Sequence, residues 1–436
     1  MFDWRNGVRA ALALATLATA ACSEKLVEGG ACGTLCPSPQ IVVVDTILTP
    51  VDTGVTVDGY PGSGLEGRLL LAVRPSDLDV RAITRFDTLP SRFVPKSTDT
   101  TTAAITHADS TRLHLHLDLT SSITRSPVTI DLFDVDNGGV SDTTVRSALQ
   151  YFVPQRLIGT RTLARTELLD TISLPISDSV LVAKASAGKR LRIGMRATAD
   201  GHTELRFISR ETGAGLGTAP YITFRPSADT AVKALTVQMS DHDSVSATTA
   251  AIDRTDYTIT VRGETPVSTS TTSVEVGGLP GRRGYLRFAI PAAFSDTTLT
   301  VVRAELEMTQ IPGSPNIADT LAVFPVVSLA GRAVSDPRRA AGLTDPGLLG
   351  GGVFPLDSLV VATPDSGVRS TNLLRVVRFW VSKTEKNNPH VLVFRTRYEN
   401  TNPGTVRFAS GSAAVPLAAR PRIVLSYVKR VPFNLP

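Results

Sequence analysis
The chain has 436 residues, 45 of them Lys or Arg against 40 Asp or Glu, and its net charge of +5 is spread along the length rather than gathered into blocks. With 42% hydrophobic and 19% charged residues it can bury a sizeable core, which excludes a disordered chain and leaves room for two domains of roughly 150–200 residues. The scattered charge argues against a dedicated nucleic-acid binder, and three cysteines with six histidines leave little for thiol or metal chemistry.

Residues 1–21 have the layout of an export signal: Arg5 and Arg9 precede the uncharged run Ala10 to Ala21. As a helix that run would rise about 18 Å, short of a bilayer core of roughly 30 Å, so a cleaved signal fits better than a membrane span. Thr19-Ala20-Ala21-Cys22 resembles a bacterial lipobox, with Thr19 where Leu is usual. That resemblance implies acylation of Cys22, whereas an ordinary secretory signal would end at an A-x-A-like site. Ser23, rather than Asp, follows the cysteine, which by the same resemblance implies an outer-membrane lipoprotein facing the periplasm or the cell surface. Residues 22–40, with Gly29, Gly30, Gly33, Pro37 and Pro39, read as a tether. Within it Cys32 and Cys36 form an even pair, read as a small disulfide loop rather than a zinc or redox site.

Beyond the tether come short runs rich in Val, Ile, Leu, Thr and Phe, separated by Gly, Pro, Asp and Ser clusters. Leu113, Leu115, Leu117 and Leu119 alternate with His114, His116 and Asp118, a period of two that sets the leucines on one strand face. Helical patterning is scarce, with residues 141–150 and 335–343 as the modest candidates. Segments also recur in order. Arg81 to Phe86 aligns with Arg283 to Phe288 at an offset of 202, and Thr203 to Ser209 with Gly404 to Ser410 at 201. Pro220 to Phe224 aligns with Pro421 to Leu425 at 201, and Phe133 with Phe324 at 191. The expectation is an all-β chain of two tandem antiparallel jelly-roll or β-sandwich domains, residues 41–226 and 227–436, arising from an internal duplication.

Arg283-Gly284-Tyr285-Leu286-Arg287-Phe288, the alternating Ala304-Glu305-Leu306-Glu307-Met308, and Ser410 followed by Arg420 to Tyr427 resemble DNRLRE-type domains. The resemblance covers roughly residues 228–428 and is fainter in the first copy, at Thr84 to Phe86 and Pro220 to Phe224. It implies jelly-roll sandwiches on exported bacterial proteins, similar to carbohydrate-binding modules.

Three places could carry chemistry. Alternation in the Arg-Phe dipeptides puts Phe86, Phe207, Phe288 and Phe408 in the cores and Arg85, Arg206, Arg287 and Arg407 on the opposite faces. There they contact ligand or, more plainly, pair with carboxylates such as Glu204 or Glu305. His114 and His116, with Asp118 in the same row, sit at a spacing that could chelate a metal, though a solvated polar face is the plainer reading. Asp134-Val135-Asp136-Asn137-Gly138-Gly139 begins like a calcium loop without a closing Glu; an Asx-rich turn is the plainer reading, and a structural calcium is the ion expected there if any binds. No nucleophile elbow, metalloprotease helix or phosphate loop is present, so no catalytic residue is assigned. The expected function is therefore a non-enzymatic envelope lipoprotein, anchored through its N-terminal lipid, whose sandwiches bind a polysaccharide or other extracellular polymer. The alternative is a scaffold docking envelope proteins, with an envelope hydrolase third. Trp380 is the one indole beyond the signal, so a sugar platform would draw on the seven tyrosines.

Overall fold
The computed structural model describes residues 42–60, 67–95, 100–137, 146–210, 218–240, 256–263, 270–295, 298–312, 320–329, 359–382, 388–396, 399 and 401–429. Cys22, Cys32 and Cys36, the signal, the tether and the helix candidate at 335–343 lie outside them. The strands of the first half are β1 (Val43–Leu48), β2 (Val55–Tyr60), β3 (Arg68–Arg74), β4 (Leu78–Phe86), β5 (Arg92–Phe93), β6 (Ala103–Ala104) and β7 (Asp109–His116). They continue with β8 (Ile123–Thr124), β9 (Val128–Asp134), β10 (Leu157–Leu163), β11 (Thr171–Pro175), β12 (Leu191–Thr198), β13 (Thr203–Ile208) and β14 (Tyr221–Arg225). In the second half come β15 (Leu235–Gln238), β16 (Asp256–Arg262), β17 (Ser273–Gly277), β18 (Gly281–Arg287), β19 (Leu299–Ile311) and β20 (Thr320–Ser328). The last are β21 (Leu359–Ala362), β22 (Gly367–Asn372), β23 (Val391–Thr396), β24 (Thr405–Ala409) and β25 (Arg422–Lys429).

The fold is an all-β sandwich architecture with two main cores. The first lies between the sheet ordered β10-β9-β12-β4-β3-β13-β8 and the sheet β11-β7-β14-β15. Leu113, Leu115, Ile172, Leu174, Ile222 and Phe224 fill it from the smaller sheet, as the alternation along β7 requires. The second is wrapped by one sheet ordered β1-β25-β19-β24-β17-β18-β23-β20-β21, with β22 on β19. Its 13-residue β19 pairs with β22 along Glu305 to Gln310 and with β24 at Gln310 and Ile311.

Laid side by side, the two strand orders match. The strands β3, β4, β12, β9, β10 and β13 correspond to β17, β18, β23, β20, β21 and β24, and the layer β11-β7-β14-β15 corresponds to β22-β19-β25-β1. Every sequence offset found above joins a matched pair: β4 with β18, β13 with β24, β14 with β25, and Phe133 on β9 with Phe324 on β20.

The sheets are composed across the boundary expected at residue 226. The two strands that precede the first hairpin, β1 and β2, pair with β25 and β18 of the second core. The two that precede the second hairpin, β15 and β16, pair with β14 and β4 of the first. The exchange is reciprocal in detail. Thr56 Oγ1 accepts from Glu275 N at 2.9 Å, and Thr258 Oγ1 accepts from Leu70 N at 3.1 Å. Val51 N donates to Arg287 O and Ser240 N to Arg85 O, each at 2.9 Å.

Among the described residues two α-helices escape the periodicity reading: α1 (Asp178–Ser186) and α2 (Leu374–Trp380). Leu-Arg-Val-Val-Arg-Phe-Trp reads as strand, but Val376, Val377 and Trp380 bury into the second core, and packing overrides the β-branched preference. The candidate at 141–150 contributes only a short 3-10 turn, Ser147–Tyr151, among its described residues.

Candidate functional site
With Leu113, Leu115, Ile222 and Phe224 turned inward, strand alternation sends the intervening residues to the outer face of β11-β7-β14-β15. Pairing registers then set them in rows. Ser173, His114, Tyr221 and Gln238 are consecutive across the four strands, and Pro175, Arg112, Thr223 and Thr236 form the next row. The imidazole of His114 stacks on the phenol ring of Tyr221, centroids 4.6 Å apart and planes 8° from parallel. Its Nε2 lies 2.8 Å from Thr223 Oγ1 and its Nδ1 3.0 Å from Ser173 Oγ, so both ring nitrogens are held by hydroxyls. Burial pushes the His114 pKa below its ordinary value, and the nearby Arg112 and His116 add to the effect. The shift favours the neutral ring, which suits an aromatic stack more than a cation.

His116 completes the cluster, its ring 6.2 Å from that of Tyr221 and its Nδ1 3.1 Å from Thr171 Oγ1. Its Nε2 is buried without a hydrogen-bond partner. The result is a half-buried aromatic group ringed by hydroxyls, an amide and the exposed Arg112. Beside edge strand β15, a cavity of about 420 Å³ is lined by Thr88, Pro90, Arg210, Thr236, Gln238 and Ser240. Such a surface can stack against an apolar ring face while exchanging hydrogen bonds with hydroxyls around it. Asp118, expected in the same row, turns away to the ion pair with Arg68 at 2.6 Å.

Asp134 and Asp136 are brought together, and cationic side chains hold them. Lys184 Nζ, from α1, sits 3.0 Å from both Asp134 Oδ2 and Asp136 Oδ2. Arg190 Nε donates to Asp136 Oδ1 at 2.9 Å and Arg190 Nη2 to Asn137 Oδ1 at 2.8 Å, while Arg156 Nη1 donates to the carbonyls of Asp134 and Asp136. Burial alone would raise the Asp136 pKa; the hydrogen bonds and charges of Arg190 and Lys184 outweigh it and hold the carboxyl below its ordinary range. Calcium takes six to eight oxygen ligands, and here the oxygens already serve an ammonium and two guanidinium groups, so these residues as placed do not fit the ion. Gly138 and Gly139 lie outside the described residues, among which no group of three or more His, Cys, Asp or Glu is arranged to hold a metal.

The Arg-Phe dipeptides behave as alternation requires. Phe86, Phe207, Phe288 and Phe408 are all core residues. Arg85 pairs with Asp87 at 3.0 Å, Arg206 with Glu204 at 2.7 Å and Arg287 with Asp52 at 3.2 Å, while Arg407 donates to Pro312 O. Glu305 pairs instead with Arg303. Trp380 is 2% exposed, which removes the indole as a ligand platform. The sequence reading missed Tyr221. The signal was there, since Pro220 to Phe224 alternates, but only the register places its ring on His114.

No family model matches the chain, and no curated protein matches it. Among solved structures, one titled "Structure of infectious bursal disease virus Gt strain" is 9% identical over 92% of this chain and 78% of that one, with a TM-score of 0.11, too low for a likeness of fold.

Proposed function
We propose that the chain is a non-catalytic cell-envelope lipoprotein whose first sandwich binds a glycan or another extracellular polymer on the outer face of β11-β7-β14-β15. The observation that carries this reading is the row Ser173, His114, Tyr221 and Gln238, with its stacked ring pair. A pyranose ring laid against Tyr221 would meet Ser173, Thr223 and Gln238 as partners for its hydroxyls, and Arg112 for any acidic substituent. Anchoring rests on the signal at 1–21, the lipid on Cys22 and the tether with its Cys32–Cys36 loop; no helix among the described residues is long and apolar enough to cross a membrane. Matched strand orders and offsets support an internal duplication behind the two sandwiches.

The test is a glycan-array and insoluble-polysaccharide pull-down with the chain lacking residues 1–37, alongside Tyr221→Ala. Binding that falls at least tenfold in the variant supports the reading. Failure of the folded protein to bind any polymer, or binding indifferent to Tyr221→Ala, overturns it. One observation favours the scaffold alternative: edge strand β1 exposes Val43 and Ile47, each at 56%, a surface to which a partner protein could add a strand.

A further inference from the structure
The described contacts of the segment 43–60 seat it on the second core. Its first strand, β1, pairs with β25 over Val43 to Leu48, and Leu48 is buried in the second core. Pro50 bridges Phe288, Val51 N donates to Arg287 O, Asp52 pairs with the Arg287 guanidinium, and Thr53 O accepts from Gly411 N at 3.0 Å. Then β2 runs along β18, with Thr56 on Glu275 and Val57 against Tyr285, Val391 and Val393. At the bend between the strands Gly54 has φ +84°, and a Cβ there would come within 2.7 Å of Leu286 Cδ2 and 2.8 Å of Val274 Cγ2. Apart from bonds within the segment, each contact named here reaches a residue between 274 and 428.

We propose that residues 43–60 are an exchangeable strand donor, and that the β17–β18 hairpin with the edge of β25 that β1 covers is its acceptor, able to take the same arm from a second copy of this chain. The physical basis is the equivalence of the bonds. Each contact named above that seats the arm in its own chain is available unchanged to an arm from another, as in domain swapping, and backbone pairing supplies affinity while pockets for alternate side chains supply selectivity. The mirrored placement of β15 and β16 on the first sandwich marks the exchange as a property of the repeat, so a single chain closes as two repeats that have traded arms. Gly54 sets the selectivity, because the acceptor leaves no room for a side chain at the bend.

The test uses full-length chains with Cys22, Cys32 and Cys36 replaced by Ser. Ile47 and Val424 face each other in register and are not buried. A chain carrying both Ile47→Cys and Val424→Cys should close its disulfide within a monomer. Two chains carrying one substitution each, unfolded and refolded together at high concentration, join position 47 to position 424 in excess of the like-with-like disulfides of random collision only where the arm of one lies on the sandwich of the other. The expected result is a cross-linked heterodimer that rises with concentration and falls at least tenfold when the donor also carries Gly54→Val. A double variant that closes while the mixture yields no heterodimer would overturn exchange between copies. A folded double variant that fails to close would overturn the arm's seat itself, and a heterodimer insensitive to Gly54→Val would overturn its selectivity.

Discussion

The two sandwiches share a strand order and differ in what they show to solvent. On the first, the outer face of β11-β7-β14-β15 carries Ser173, His114, Tyr221, Thr223 and Gln238 around a stacked ring pair. On the second, the matched strands carry Glu305 paired with Arg303, Glu307 paired with Arg422 at 2.7 Å, and the exposed aliphatic side chain of Ile47. The inward residues of both are interchangeable in kind, Leu113, Leu115 and Ile222 in one against Leu306, Met308 and Ile423 in the other. Packing therefore constrains one side of each strand and leaves the other free. The face that departs from charge pairing is where recognition should be sought.

The sharpest way to break the comparison is through the cores. Phe207→Ala and Phe408→Ala should each cost about 3–5 kcal/mol in urea unfolding, since both rings are fully buried at matched positions. A silent change at one of them would end the equivalence. Next is a feature that the first sandwich alone carries among the described residues. Lys184→Met leaves Asp134 and Asp136 facing each other without their ammonium and should lower stability by about 3 kcal/mol, while calcium or a chelator leaves the wild-type Tm unchanged. Tyr221→Ala should cost about 1 kcal/mol through the lost stack, besides its effect on polymer binding. Arg422→Ala on the matched face should leave polymer binding as it was.

The smallest expected effect is on pH dependence. The folded-state pKa of His114 lies below the unfolded value of about 6.5, because burial, and after it the nearby Arg112 and His116, oppose the charged ring. The unfolded chain then binds more protons as pH falls below that value, so stability is full above it and declines as pH drops through the folded pKa. His390 in the second sandwich has the same sign: burial lowers its pKa more than a backbone hydrogen bond from the ring to Trp380 raises it. Tm followed between pH 7.5 and 5 should fall, and His114→Gln should remove part of the slope. An unchanged slope would place the titrating group elsewhere.

Much of the core was legible because alternation is local: Leu113 and Leu115, and the phenylalanines of the four Arg-Phe dipeptides, face inward as their period demands. What was not legible depends on partners distant in sequence. Asp134 and Asp136 look like ion ligands until α1 brings Lys184 between them. Tyr221 looks like any strand residue until the register sets it on His114. Helix α2 is written in strand-forming residues and is decided by the pocket that Trp380 fills. The exchange of β2 for β16 leaves no mark in periodicity, since each strand would alternate as well beside its own hairpin.

That exchange has a consequence for the order in which the molecule can be completed. Asp45 on β1 is hydrogen-bonded to Ser426 on β25, 381 positions away. At synthesis rates of roughly 5–20 residues per second, the first strand waits about 20–80 s for its partner. Through that interval it is an unpaired strand in need of protection from other chains, and the second sandwich cannot close before β25 has been made. A chain truncated before β25 would release its earliest strand with no place to dock.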